Sequence, residues 1–289
     1  MTENQKKIVI VSHRLKGFDD HDASCKSLQN ALAKKVTNFE VDCRTTKDSE
    51  IVIHHDARLG NEFTVQNLIA DSTLKELKQI HYKNSSETIL TIDELFQLIE
   101  PHRGVQLYLD IKESGKEEKI IAKAANLNLL DNITIVSWLP EVLFKINALL
   151  PSMHLCFSFY PVCSSALARL NYFNPKVKSL FQLDKKARNS LLYDSYNNEN
   201  GAIGKYGFDF EHFVSLPFKG RLLEVLQSVL GIVCVNYKLS TVDFIQQLKK
   251  QNLQVCMYSI NNEKDLRKYK AKFLPDIVLT DNPSLVINE

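Results

Sequence analysis

"NFEVDCRTTKDSEIVIHHD" runs from Asn38 to Asp56. Side chains two apart on a strand share a face, so Glu40 and Asp42 project together near the end of the first apolar run. Only about eight residues separate Cys43 from the second run, Ile51–His54. A parallel crossover needs roughly a dozen or more. Lys47-Asp48-Ser49 reads as a turn, so the two runs are predicted to pair as a hairpin. The second run stops on His55 and Asp56. Strands that end on carboxylates and imidazoles are not feeding a core at that end.

Outward from this stretch, short apolar runs alternate with helical patterns. Strands are expected over 7–12, 38–43, 105–112, 133–138, 154–159, 232–236, 254–259 and 276–280. Helices are expected over 24–35, over 116–126 after Ser114 as a cap, from Pro140 to before Pro151, and over 241–250. Thr91 and Glu94 form a capping-box pattern before Leu95, Leu98 and Ile99. Eight strands with intervening helices predict an α/β fold, a TIM-type (β/α)8 barrel. The chain reads as one domain, 1–289, without repeats or a clear linker. Residues 57–90 read as an insertion after the hairpin, with a small helix over 73–80. Residues 160–231 form an atypically long connection, in which "YDSYNNENG" has the composition of a mobile loop.

The 289 residues are 44% hydrophobic and 24% charged, an ordinary globular composition with material for a large core. Lys plus Arg is 36 against 34 Asp plus Glu, which gives no support for nucleic-acid binding. Lys185, Lys186 and Arg188 make a cluster of the size that usually marks a solvated face. The apolar run Ile8–Ser12 falls short of the roughly 7–15 residues of a signal-peptide core. No stretch reaches the roughly 18 apolar residues of a membrane span. The expected location is the cytoplasm, with export lacking a cleaved signal as the alternative. The six cysteines form no C-x-x-C pair and read as buried, reduced thiols.

In a barrel of this type, the C-terminal strand ends build the site. His13–Arg14, Glu40–Asp42, His55–Asp56, Asp110–Lys112 and "TDNP" (280–283) would therefore meet on one rim. Three carboxylates suit a hard divalent cation such as Mg²⁺ or Ca²⁺. Arg14 and Lys112 suit a phosphate, and two imidazoles suit proton transfer near neutral pH. Each part alone has a blander meaning. An E-x-D pair is often a solvated sheet face, a strand-end histidine is more often structural, and Lys112 can simply pair with Asp110. His54 is expected to point away from His55 and be packed or superficial. Convergence on one rim shifts the balance toward phosphodiester cleavage.

At this point the chain resembles the glycerophosphodiester phosphodiesterases. The resemblance is carried in order by "SHR" (12–14), "FEVDCRTTKD" (39–48), "IVIHHD" (51–56), "LTIDELFQLI" (90–99), "LYLDIK" (107–112), "VSWLPEVL" (136–143), "VCMYSIN" (255–261) and "DIVLTDNP" (276–283). It implies a TIM-type barrel, His13 and His55 as the catalytic pair, and Glu40, Asp42 and Asp110 as metal ligands. It also implies Arg14 and Lys112 as phosphate contacts. The chain departs from the family pattern at Leu15 and Ser49, where glycines are usual, and at Asp22-Ala23-Ser24, where Glu-Asn-Thr is usual. Tyr258 replaces a Trp, and Asp110 stands where Glu is frequent.

The implied activity is metal-dependent hydrolysis of a small glycerophosphodiester to glycerol 3-phosphate and an alcohol, with one divalent cation. Lysophospholipase D-like action on lysophospholipids is the second enzymatic expectation. Phe157, Phe159, Tyr160, Tyr172, Phe173 and Phe181 would then either meet an acyl chain or belong to the core. A non-catalytic phosphoester-binding module, prompted by Leu15 and Ala23, is the third.

Overall fold

The computed structural model describes residues 8–159, 220–238 and 240–287. Its strands are β1 Val9–His13, β2 Asn38–Thr45, β3 Ile51–Ile53, β4 Gln106–Ile111, β5 Ile133–Ser137, β6 His154–Phe159, β7 Ile232–Asn236, β8 Gln254–Tyr258 and β9 Ile277–Thr280. The order β1-β9-β8-β7-β6-β5-β4-β2-β3, with β1 also paired to β2, closes eight strands into a barrel. All barrel pairings are parallel. Among the described strands only β3 runs antiparallel, against β2, with Cys43 opposite Ile53. The predicted TIM-type barrel and its hairpin are both present.

Alternation along the strands sorts the side chains. Phe39, Val41 and Cys43 of β2, like Leu107, Leu109 and Ile111 of β4, join the layer between sheet and helices. Val11, Tyr108, Val136, Cys156, Ile232, Cys234, Cys256, Ile277 and Leu279 form a separate cluster that fills the barrel interior. These inward positions continue into the charged residues at the strand ends, so the core stops where the polar rim begins. Phe157 is fully buried in the outer layer and serves the core. Phe159 as a side chain, the remaining aromatics of 160–181, the basic cluster at 185–188 and "YDSYNNENG" lie outside the described residues. Of the long connection, Gly220–Ser228 is an ordinary helix leading into β7.

The helices follow their signals with some corrections. Ser24 caps α1, Cys25–Ala33, by accepting from the Ser27 N–H. The insertion helix α2 is shorter than expected, Leu74–Leu77, with a capping box between Thr73 and Glu76. Thr91 and Glu94 make the predicted capping box on α3, Ile92–Ile99. Helix α4, Glu117–Asn126, starts without a side-chain cap. Ser114 does not cap it: its hydroxyl accepts from Lys145 Nζ, and the Glu117 carboxylate accepts from the Gly115 N–H instead. Pro140 opens α5, Pro140–Leu149. Helices α6 Gly220–Ser228, α7 Val242–Lys250 and α8 Glu263–Phe273 precede β7, β8 and β9, and α9 Pro283–Ile287 closes the chain.

The insertion has a small core of its own, in which Phe63, Tyr82 and Leu77 pack against Val52 of β3. Cys43, Cys156, Cys234 and Cys256 are buried and free, while Cys25 is partly exposed, a departure from the expected burial, and Cys163 lies outside the described residues. Among the described residues no helix is long and apolar enough to cross a membrane.

Thr91 and Glu94 satisfy each other's backbone partners beside the buried end of β3. Thr91→Ala should cost about 1 kcal/mol of stability, read as a lower urea midpoint at unchanged slope. An unaltered midpoint would show that the cap contributes nothing.

Candidate active site

Strand register assembles the rim. His13 lies opposite Glu40 across β1 and β2, and Asp42 lies opposite Asp110 across β2 and β4. Their side chains point inward at the C-terminal end of the barrel. Oxygen atoms of Glu40, Asp42 and Asp110 all lie within 4.8 Å of one another, and all three residues are buried. Desolvating a carboxylate is costly unless opposite charge compensates.

The compensation is uneven. Lys112 Nζ bridges Asp42 Oδ1 at 2.7 Å and Asp110 Oδ2 at 2.5 Å. Arg14 Nε lies 3.2 Å from Asp42 Oδ2, yet at an angle that makes no hydrogen bond. Although burial opposes it, Lys112 and Arg14 hold Asp42 far below the usual carboxylate range. Burial pushes Glu40 well upward, reinforced by the negative charges of Asp42 and Asp110. Burial also raises Asp110, against the pull of Lys112. Asp110 Oδ1 is buried with no hydrogen-bond partner among the described residues. Three clustered carboxylates with an unpartnered oxygen therefore fit a hard divalent cation. Lys112 is thus less free for a phosphate than its strand-end position suggests.

Both predicted histidines are oriented by carboxylates. His13 Nδ1 lies 2.6 Å from Asp281 Oδ1, and its Nε2 faces Glu40 Oε2 at 3.8 Å. Burial lowers the His13 pKa, against the opposing effect of its hydrogen bond to Asp281. His55 Nδ1 lies 2.6 Å from Asp56 Oδ1. The side chain of His13 is 13% exposed and that of His55 38%. His54 points elsewhere, with Nε2 3.2 Å from the Arg58 carbonyl and its ring edge-on to Phe63.

Two further residues support the histidines, Arg44 and Asp281. Arg44 follows Asp42 by two on β2 and is buried on the same face. It donates to the His55 carbonyl from Nε and Nη2 at 2.9 and 2.8 Å and pairs with Glu113 at 2.5 Å. The alternation that flagged Glu40 and Asp42 extends to it. Within "TDNP" nothing local singles out Asp281; its partner is 268 positions away, a distance no local pattern bridges.

The departures at glycine positions, Leu15 and Ser49, keep a glycine-like backbone, with φ of 54° and 65°. Arg14 and Ala23 are left-handed too, with φ of 55° and 49°. The turn Arg14-Leu15 is fixed by Arg14 N–H to Glu40 O, 2.9 Å, and Ala23 N–H to Arg14 O, 2.9 Å. Asp22 is exposed beside it, and Tyr258 packs against the inner cluster.

Residues 13–285 match the model of the glycerophosphoryl diester phosphodiesterase family, so the chain belongs to that family. A glycerophosphodiester phosphodiesterase of Bacillus altitudinis is 23% identical over 140 residues, 45% of this chain and 57% of that protein. A human protein named Lysophospholipase D GDPD3 is 21% identical over 96% of this chain and 83% of its own length. The chain spans about half the length of the bacterial curated relatives it matches first. The fold is shared with an Oleispira antarctica phosphodiesterase solved in complex with the product sn-glycerol-3-phosphate. The TM-score is 0.64 at 18% identity, covering 97% of this chain and 95% of that one.

Removing one of the crowded acids should help the metal-free fold. Glu40→Gln should raise the melting temperature in chelator by about 2–4 °C, on the order of 1 kcal/mol. It should also shrink the stabilisation given by added Mg²⁺, Ca²⁺ or Mn²⁺. A lower melting temperature in chelator would mean that Glu40 is a structural anchor.

Proposed function

We propose that the chain hydrolyses glycerophosphodiesters to glycerol 3-phosphate and an alcohol, with His13 and His55 as the proton carriers. The observation that carries this reading is the convergence of two carboxylate-oriented imidazoles and a buried three-carboxylate cluster on one barrel rim. Family membership and the product complex of the Oleispira protein support the substrate class.

Glu40, Asp42 and Asp110 would hold one divalent cation, Mg²⁺ or Ca²⁺, which when bound supplies positive charge toward the phosphate and an adjacent hydroxyl. Arg14 adds fixed positive charge on the same side, since its guanidinium keeps its proton at any working pH. His13 Nε2, sheltered and beside Glu40, takes the proton of the substrate's glycerol 2-hydroxyl. That oxygen attacks phosphorus, and the phosphorus–oxygen bond to the alcohol breaks. His55, more exposed, gives its proton to the departing alcohol, whose exit requires a path to solvent. Water then opens the cyclic phosphate with the two imidazoles in exchanged roles. Arg44 keeps His55 at its station by gripping its carbonyl.

A second reading, lysophospholipase D-like action on lysophospholipids, is favoured by the nearly full-length similarity to the human protein of that name. Release of choline from glycerophosphocholine and from lysophosphatidylcholine, each with cation and with chelator, distinguishes the two. Binding without turnover of either would instead support the phosphoester-binding module.

His13→Ala and His55→Ala should each lose on the order of 10²–10⁴ in rate, while His54→Ala stays within a few-fold at unchanged melting temperature. A substrate with a good leaving group should partly restore His55→Ala and leave His13→Ala inactive. Restoration of His13→Ala instead would reverse the assignment of base and acid. Full turnover in excess chelator would remove the metal from the mechanism.

A further inference from the structure

The best-held imidazole on the rim is His13, and the residue that holds it comes from the far end of the chain. Asp281 follows the last barrel strand and meets His13 at 2.6 Å because β1 and β9 are neighbours, with Ser12 opposite Thr280. A carboxylate only accepts hydrogen bonds, so at this distance the proton sits on His13 Nδ1. The lone pair is then on Nε2, the nitrogen that faces Glu40.

Asp281 is itself gripped from several sides. Asn261 Nδ2 donates to Asp281 Oδ2 at 2.8 Å, and Asn261 Oδ1 accepts from the Asp281 N–H at 2.8 Å. Lys16 Nζ lies 3.3 Å from Oδ1, the oxygen that His13 uses. Ser259 Oγ, 3.2 Å from His13 Nδ1, flanks the same contact. The loops carrying the pair are pressed together at Gly17, φ 75°. A Cβ there would come within 2.7 Å of the Pro283 ring. Both oxygens of Asp281 thus face donors, which an amide could not satisfy at both ends.

We propose that Asp281 is the positioning residue for His13, fixing the tautomer with Nε2 free to accept the substrate's proton, with Asn261 and Lys16 fixing Asp281 in turn. This rests on the reading of His13 as the base. When Nε2 takes the hydroxyl proton, the ring becomes an imidazolium whose Nδ1–H stays on His13, hydrogen-bonded to the carboxylate. The charge is balanced by Asp281 and no proton passes to it. The pair resembles His55–Asp56 in geometry but not in setting, since the Asp56 side chain is 70% exposed and adjacent in sequence to its histidine.

The test uses the full chain, ¹⁵N-labelled at histidine and kept metal-free for NMR, with the His13 signals assigned by their loss in His13→Gln. The unaltered protein should show Nδ1 protonated and Nε2 bare. In Asp281→Asn the Nε2–H tautomer should become populated. For the cation-loaded enzyme on glycerophosphocholine, kcat should fall about 10²–10⁴-fold with little change in KM. Asp281→Glu, which keeps an acceptor-only group, should retain the tautomer and recover part of kcat. Should Asp281→Asn fail to fold, Asn261→Ala carries the test. It loosens Asp281 without altering the carboxylate and should shift tautomer and kcat in the same directions by less. An unchanged tautomer in whichever variant folds overturns the proposal, whatever happens to the rate. A changed tautomer with full turnover shows instead that His13 is not the base, so failure of the mechanism is told apart from failure of the positioning role.

Discussion

Three carboxylates crowded into the mouth of a closed barrel are the constraint from which the rest of the rim follows. Glu40 and Asp42 are bound to the same face by strand geometry, and pairing sets Asp42 directly opposite Asp110. All three are buried, and each would incur a desolvation penalty of several kcal/mol if left ionised and alone. Lys112 answers by being buried between two of them, and Arg14 by turning back toward Asp42. Two fixed cations against three acids leave Glu40 as the group whose charge is least welcome, as its raised pKa records. Such a deficit makes poor sense for stability and good sense for a site that awaits a dication.

The histidines are placed against this field with different degrees of shelter. His13 shares its strand pairing with Glu40 and is enclosed by elements from both ends of the chain. His55 sits on the loop after the short β3, anchored through its backbone by Arg44 and through its ring by an exposed neighbour. On the proposed assignment, enclosure suits His13 as the base, and exposure suits His55 as the acid that meets the departing alcohol and the incoming water. The asymmetry comes from topology, because β1 is flanked on both sides by barrel strands while β3 is an edge.

Much of this is legible in the sequence. The i, i+2 spacing put Glu40 with Asp42 and Asp110 with Lys112, and the short link at Lys47–Ser49 forced a hairpin in place of a crossover. The strand runs were found to within a residue or two, because apolar runs bounded by polar turns leave little freedom. What escaped was non-local or competitive. The Ser114 hydroxyl was drawn to Lys145, a partner 31 residues on, so its local capping preference was not realised. The partnership of His13 with Asp281 exists only once the barrel closes. The burial of Lys112 between two acids likewise depends on β2 lying beside β4, which strand spacing alone does not reveal.

The positions where glycine is usual show how the fold tolerates change without moving its chemistry. A left-handed backbone costs a residue with a side chain roughly 1–2 kcal/mol, and Arg14 and Leu15 adopt it in succession. They are held there by bonds made on either side, from Arg14 N–H to Glu40 and from Ala23 N–H to Arg14. A strained conformation persists when its surroundings over-determine it. Leu15 also brings its own compensation: its side chain is fully buried in the outer core, and burying a leucine contributes about 1.5–3 kcal/mol. That gain is of the same size as, or larger than, the strain of one such residue. The turn that presents His13 and Arg14 to the rim is therefore kept by hydrophobic burial where backbone freedom would otherwise keep it, and the carboxylates beneath it stay where the strands put them.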